Sequence, residues 1–173
     1  LDVAFMMHGG PNTCTDVRCL AQRSFHVTFH GKRAHAALAP DKGRSAFDAL
    51  LAAFQGIEFL REHVPDDVRM HYTVAKLPGP ANVVPAEAEG EFAIRSFSRK
   101  TLEGVCERFL DIIKGASLIA GVDYEIKEGT FFFNKIPVLK LNELLMNNAK
   151  LAGAPQLAPP REKTGSTDFG NVM

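Results

Sequence analysis

Between Ser24 and Phe132 the apolar spacing switches between period two and period 3.6, giving the order strand, helix, strand, strand, helix, strand. Ser24–His30 alternates, with Phe25, Val27 and Phe29 on one face and His26, Thr28 and His30 on the other, as a half-buried strand does. Ser45, followed by Asp48, opens a helix on which Phe47, Leu50, Leu51, Phe54, Ile57 and Leu60 fall at helical spacing, closing near Val64 before Pro65. Arg69–Ala75 reads as a second strand with Met70, Tyr72 and Val74 inward. The stretch LPGPANVVP (77–85) is a proline-punctuated loop. Glu87–Arg95 is a third strand, with Ala88, Phe92 and Ile94 inward and Glu87, Glu89 and Glu91 solvated. Ser98 caps a second helix striped by Leu102, Val105, Phe109, Ile112 and Ile113, Gly121 is placed to end it, and Val122–Lys127 begins a fourth strand. Two helices on one face of a four-stranded antiparallel sheet satisfy this order, so the expected class is α+β with a ferredoxin-like β-α-β-β-α-β unit.

Composition narrows the function. Twenty basic and twenty acidic residues cancel, so no general attraction to nucleic acid or to an anionic membrane is expected. RNA binding on the open sheet face is disfavoured further, because Glu87, Glu89 and Glu91 would repel phosphate there. The longest apolar runs are too short to span a bilayer. Three cysteines leave one over from any disulfide pairing, and Cys14 and Cys19 lack the further Cys/His pair of a structural zinc site. Reduced thiols in a cytoplasmic protein are the expected reading, with Cys106 in packing.

The flanks differ from the unit they enclose. Leu1–Met7 is a near-continuous apolar run, expected to be a strand buried on both faces of a parallel sheet, and Val138–Leu151 reads as a helix with Leu141, Leu144, Leu145 and Ala149 on one stripe. The chain opens inside an apolar run and stops inside TGSTDFGNVM, which reads as a piece of a longer protein. On this reading the ferredoxin-like unit is inserted into a larger α/β domain. The expected division is 1–21 as the end of a first catalytic-domain segment, 22–133 as the inserted unit, and 134–173 as the start of a second segment.

Candidate chemistry concentrates on few residues. His8 follows the presumed buried strand, where open α/β sheets bind ligands, but no companion His-x-Asp, His-x-x-x-His or Glu-Glu pair accompanies it. A catalytic zinc takes about three protein ligands, which this chain does not supply by spacing. His35 sits in FHGKRAHAALAP, between alanines that allow close approach of backbone or substrate. Gly31 and Gly43 read as turn residues, and His26, His30, His63 and His71 as structural or solvated.

The stretch FHGKRAHAALAPDKGRSAFDALLAAFQGIEFLREHV resembles the start of the dimerisation (lid) domain of zinc aminoacylases and carboxypeptidase-G-like metallopeptidases. ANVVPAEAEGEFAIRS resembles the Asn-x-x-Pro strand of the same family, which ends in an arginine, and MMHGGP and TGSTDFGNV look most like its aminobenzoyl-glutamate hydrolase branch. The resemblance implies a zinc-dependent amidohydrolase or peptidase acting on small N-acyl amino acids or dipeptides. A two-zinc site would lie mostly outside this chain, a metal-bridging water would attack the amide, and His8 would be a metal ligand. His35 would stabilise the oxyanion in a partner subunit's site, Asn82 would bind substrate in that site, and Arg95 would grip the substrate carboxylate. Thr167 and Asp168 would line the catalytic cleft without an assigned role. The chain alone is expected to be inactive but able to form a homodimer through one sheet edge and the Ser45–Val64 helix. The alternative is a free-standing ferredoxin-like domain that binds a ligand or partner without catalysis.

Overall fold

The computed structural model describes residues 3–172. Its centre is a four-stranded antiparallel sheet of β1 (Ala21–His30), β3 (Arg69–Lys76), β5 (Glu87–Ser96) and β6 (Asp123–Phe132), ordered β3-β5-β1-β6. Helices α1 (Ala46–Arg61) and α2 (Arg99–Ala120) cover one face. A two-residue pair, β2 (Ala34–His35) with β4 (Val83–Val84), stands apart from the sheet, and α3 (Leu139–Leu151) follows it in sequence. This is the expected ferredoxin-like arrangement.

Local chemistry sets the element ends. The Ser45 hydroxyl accepts from the Asp48 amide at 3.2 Å and the Ser98 hydroxyl from the Thr101 amide at 3.3 Å, each satisfying an N–H that the first helical turn leaves free. Gly121 ends α2 in the left-handed region at φ 65°, where an L side chain is disfavoured. The core lies between sheet and helices: Phe25, Phe29, Ile94, Leu50, Phe109 and Ile113 are fully enclosed. The Phe109 ring lies 4.9 Å from that of Phe25 and 5.1 Å from that of Phe92, which ties α2 to the two central strands. Cys106 is buried in the same layer, and burial pushes its thiol up to about 11, so it packs as a small apolar group.

Three expectations are corrected. Leu51 is about half exposed (49%), because the buried stripe of α1 runs through Ala46, Ala49, Leu50, Ala53, Ile57 and Leu60 and position 51 falls off that face. Tyr72 (36% exposed) and Val74 (37%) lie on the helix side of β3 as their alternation with Met70 demands. They are only half covered because β3 is an edge strand. Of the run Leu1–Met7, the described residues 3–7 do not form the expected buried strand. Residues 3–10 are irregular and mostly exposed, and residues 1 and 2 lie outside the described residues. A strand buried on both faces needs neighbouring strands and covering helices, and no described residue supplies them there.

The uncovered edge is tied by a polar network. The Tyr72 hydroxyl donates to Glu58 at 2.9 Å, Arg61 donates to both Glu58 oxygens at 2.8 and 3.0 Å, and the Tyr72 ring stacks on Phe54 with centroids 4.3 Å apart. Hydrogen bonding from Arg61 first, then from Tyr72, pulls the Glu58 carboxyl down from 4.5 to about 2. A depressed carboxyl stabilises the fold above its unfolded value near 4.5, and that contribution is lost as pH falls through about 2. A side-chain carboxyl titration by NMR should therefore find Glu58 half-protonated near 2, and Arg61→Gln should move it up toward 4.5. An ordinary midpoint in the unsubstituted protein would mean the network does not form in solution.

The two flanking strips lie side by side. Residues 13–19 pair in parallel with 157–164 through bridges Thr13–Leu157, Asp16–Arg161 and Cys19–Thr164. Arg161 also donates to the Asp16 carboxylate at 2.7 Å. The ferredoxin-like unit thus leaves from, and returns to, one place. No residue of α3 is buried, and its stripe residue Leu144 is 57% exposed.

Candidate functional site

The structure brings two of the four candidate residues together and separates them from the third. β1 and β5 pair over their full length, from Ala21 opposite Ser96 to His30 opposite Glu87. The chain leaving His30 forms β2, and the chain entering Glu87 forms β4, so His35 and Asn82 meet at that end of the sheet. His35 pairs with Val83, and the Ala36 amide donates to the Asn82 carbonyl at 3.0 Å. Arg95 lies on β5 eight residues beyond Glu87, which at the rise of a strand puts it about 25 Å from that end. A dipeptide spans only about 7 Å. His35 and Arg95 of one chain cannot hold the same small molecule.

The tautomers of the two candidate histidines are fixed by their neighbours. The Nδ1 of His35 accepts from the amides of Ala37 at 3.2 Å and Leu38 at 3.3 Å, so a neutral ring carries its proton on Nε2 and presents it outward as a donor. His8 is the reverse: its Nδ1 donates to the Gly9 carbonyl at 2.8 Å, leaving an Nε2 lone pair free. One ring presents an N–H outward and the other a free lone pair. His35 and Asn82 are both exposed on the single chain.

Gly31 and Gly43 serve close packing and not turn geometry, since neither has a positive φ. A Cβ on Gly31 would lie 2.2 Å from the Arg44 carbonyl oxygen, and one on Gly43 would lie 2.9 Å from a Val84 methyl. These glycines let the loop carrying His35 press against α1 and β4.

On the sheet face away from the helices, charge is segregated. Glu89 pairs with His26 at 3.1 Å and with Lys76 at 3.5 Å, and Glu87 also pairs with Lys76, all toward the His30 end. Toward the other end stand Arg95 and, directly opposite it on β3, Arg69. The Arg95 Nε is buried without a hydrogen-bond partner. Nothing in the sequence singles out Arg69, because its position beside Arg95 exists only once the β3–β5 register is known.

A cleft of about 550 Å³ runs between residues 4–19 and the later strip, with His8, Asp16, Leu145 and Thr167 on its wall. Thr167 is partly buried and its hydroxyl accepts from the Phe169 amide at 3.2 Å, while Asp168 is exposed. No group of three His, Cys, Asp or Glu side chains among the described residues is close enough to hold a metal ion. No helix among the described residues is long and apolar enough to cross a membrane.

A ferredoxin-like unit carried between two adjoining strips, with a donor histidine on a loop at one end and an unpaired arginine at the other, is the form of an inserted accessory domain. The chain belongs to the peptidase dimerisation domain family, whose match covers residues 22–118. It is 29% identical over 176 residues to the Xaa-Arg dipeptidase of Mus musculus, covering 99% of this chain and 41% of that protein. It is 30% identical over 142 residues to a p-aminobenzoyl-glutamate hydrolase polypeptide of Escherichia coli (strain K12), covering 82% of this chain and 30% of that protein. The fold is shared with the crystal structure of an aminobenzoyl-glutamate utilization protein from Klebsiella pneumoniae, at TM-score 0.69 and 22% identity over 94% of this chain and 44% of that one. The chain therefore spans less than half the length of these proteins.

Proposed function

We propose that this chain is the self-associating lid of a longer hydrolase that cleaves the amide bond of small N-acyl amino acids or dipeptides. Residues 22–133 form the lid, and residues 1–21 and 134–173 belong to the catalytic domain. The observation that carries this reading is the placement of His35 and Asn82 at one end of the sheet and Arg95 at the other. A site that needs both ends must be built from two copies. In such a site one subunit's His35 donates its Nε2 proton to the oxygen that becomes negative as the amide carbon turns tetrahedral. Asn82 beside it positions the acyl part, and Arg95 of the other subunit holds the free carboxylate through a bidentate fork. His35 is exposed on one chain, where water would compete, so the second copy also supplies the dry surroundings in which the donor counts.

The seam in this reading runs along β3 and α1. Leu51, Phe59, Tyr72, Val74 and Leu77 are exposed there, and the strand edge is unpaired. The opposite edge, β6, carries Asp123, Glu125, Lys127 and Glu128, charges of the kind that discourage strand pairing. We take the metal as zinc, with ligands mostly outside this chain and His8 as one contributor, and the compartment as cytoplasmic.

Complementation tests the two-subunit site. In the longer enzyme, His35→Ala and Arg95→Gln homodimers should each be nearly inactive. Coexpressed equally, about half the dimers are mixed and each mixed dimer keeps one intact site, so activity should return to about a quarter of the unsubstituted level. No recovery from the mixture, with dimers present, would show that both residues act within one subunit or not at all.

A further inference from the structure

We infer that Arg18, Asn134 and Asn171 are positioning residues: they clamp the base of the ferredoxin-like unit to the two strips and so fix where His35 arrives at its far end. The inference rests on the role of His35 proposed above and adds the residues that aim it.

Both crossings between strip and lid are bonded at the point of entry. The Leu20 amide, next to the start of β1, donates to the Gly165 carbonyl at 3.1 Å. The Lys135 amide, three residues past β6, donates to the buried Cys19 sulfur at 3.1 Å. Side chains then tie the strips to different parts of the lid. Arg18, on the first strip, donates from Nε to the Glu162 carbonyl at 3.3 Å, which joins the strips. Its guanidinium lies 4.5 Å from the centre of the Phe97 ring, between β5 and α2. The Phe97 amide and the Ser96 hydroxyl both donate to Asp67 at 2.7 Å, so the same corner holds the approach to β3.

The later strip grips the other layer and the other edge. Asn134 accepts from the Arg99 amide at 3.2 Å and gives α2 a second cap beside Ser98. Asn171 accepts from the Phe133 amide at 2.7 Å and donates to the Phe131 carbonyl at 3.0 Å, the two bonds that a parallel neighbouring strand would make. Gly170 before it is buried, and a Cβ there would lie 2.1 Å from the Phe133 carbonyl oxygen, so the two backbones touch. This turn follows Thr167 on the cleft wall, which links the wall to the lid. Anchors on both the sheet and the helix layer oppose rotation about any one axis, where a single anchor would leave a pivot. The precision matters because β1 runs ten residues from this base to His30, about 30 Å at the rise of a strand. A turn of about 2° at the base then moves the far end by about 1 Å, and a misplacement of about 1 Å can cost about a hundredfold in rate.

Residual dipolar couplings of the backbone amides of this chain test the clamp directly. One alignment tensor should fit residues 22–133 and the paired strips, 13–19 and 157–172, together. In the Arg18→Ala/Asn171→Ala double variant the lid couplings should still fit a single tensor, while the strips require a second, weaker one. Asn171→Asp, which keeps the acceptor and loses the donor, should fall between. In the longer hydrolase the double variant should lower kcat by about tenfold or more with KM changed less, as a misplaced donor would. Two tensors in the unsubstituted chain, or one shared tensor in the double variant, would overturn the clamp. Altered alignment with an unchanged kcat would overturn the positioning role. Failed complementation between the His35 and Arg95 variants would remove the role of His35, and the aiming with it, without touching the alignment result.

Discussion

Replacing His35 by alanine in the longer hydrolase proposed above is expected to lower kcat by about 10²–10³-fold while changing KM far less. The asymmetry follows from what the ring can do. Its Nδ1 is occupied by the amides of Ala37 and Leu38, so the group it offers outward is the Nε2–H. A planar amide carbonyl oxygen accepts that bond weakly. The oxyanion formed after attack accepts it strongly, and only interactions that strengthen on the way to the transition state raise kcat. His35→Gln keeps a donor of similar reach and should recover part of the rate, whereas a residue that merely packs the loop would not distinguish glutamine from alanine in this way. A loss confined to KM, or an equal loss of thermal stability, would assign His35 to binding or to loop structure instead.

The second large effect is on stability, and it is measurable on this chain alone. Gly31→Ala should destabilise the fold by about 3 kcal/mol, in the range of overpacked cores, and lower Tm by roughly 10 °C for a chain of this size. The added methyl would sit 2.2 Å from the Arg44 carbonyl oxygen and 2.8 Å from the Ala46 amide nitrogen, both main-chain atoms that cannot rotate away. Moving them breaks the reciprocal bonds between Lys32 and Arg44 and the bond from the Ala46 amide to the Pro85 carbonyl. Those bonds join the end of β1, the start of α1 and the approach to β5, so the loop carrying His35 should loosen with them. Gly115→Ala is the control: it lies within α2 with open space around it, and should be neutral or slightly stabilising. Thermal unfolding of the two variants side by side decides the matter. A Gly31→Ala protein that melts with the unsubstituted chain would show that the backbone yields at little cost.

Glu58 illustrates how such edge features escape a sequence reading. Glu58 and Arg61 are a common helix pair three residues apart, and nothing in their spacing points to Tyr72 fourteen positions later. The half-exposure of Tyr72 and Val74 has the same origin: alternation assigns a side chain to a face, but whether that face is covered depends on how far the helix layer extends. The apolar run before His8 departs from expectation for a related reason. An unbroken apolar stretch suits a strand in a parallel sheet, but it becomes one only beside strands and helices that hydrogen-bond and cover it.

What the sequence by itself determined was everything governed by short range. Period-two alternation in Ser24–His30 and Glu87–Arg95 and the helical stripes behind Ser45 and Ser98 placed strands and helices in the right order. The serine caps and Gly121 act through groups a few bonds away, so they were legible as well. The motifs around His35, Asn82 and Arg95 marked a family now shown by the match over residues 22–118. Only the tertiary structure decided which strand lies beside which and in what register. That choice put His35 against Asn82, sent Arg95 to the far end of the sheet, and set Arg69 opposite it. Register is the sum of many weak pairings between distant segments and the closure of the loops that join them. No window of neighbouring residues contains that sum.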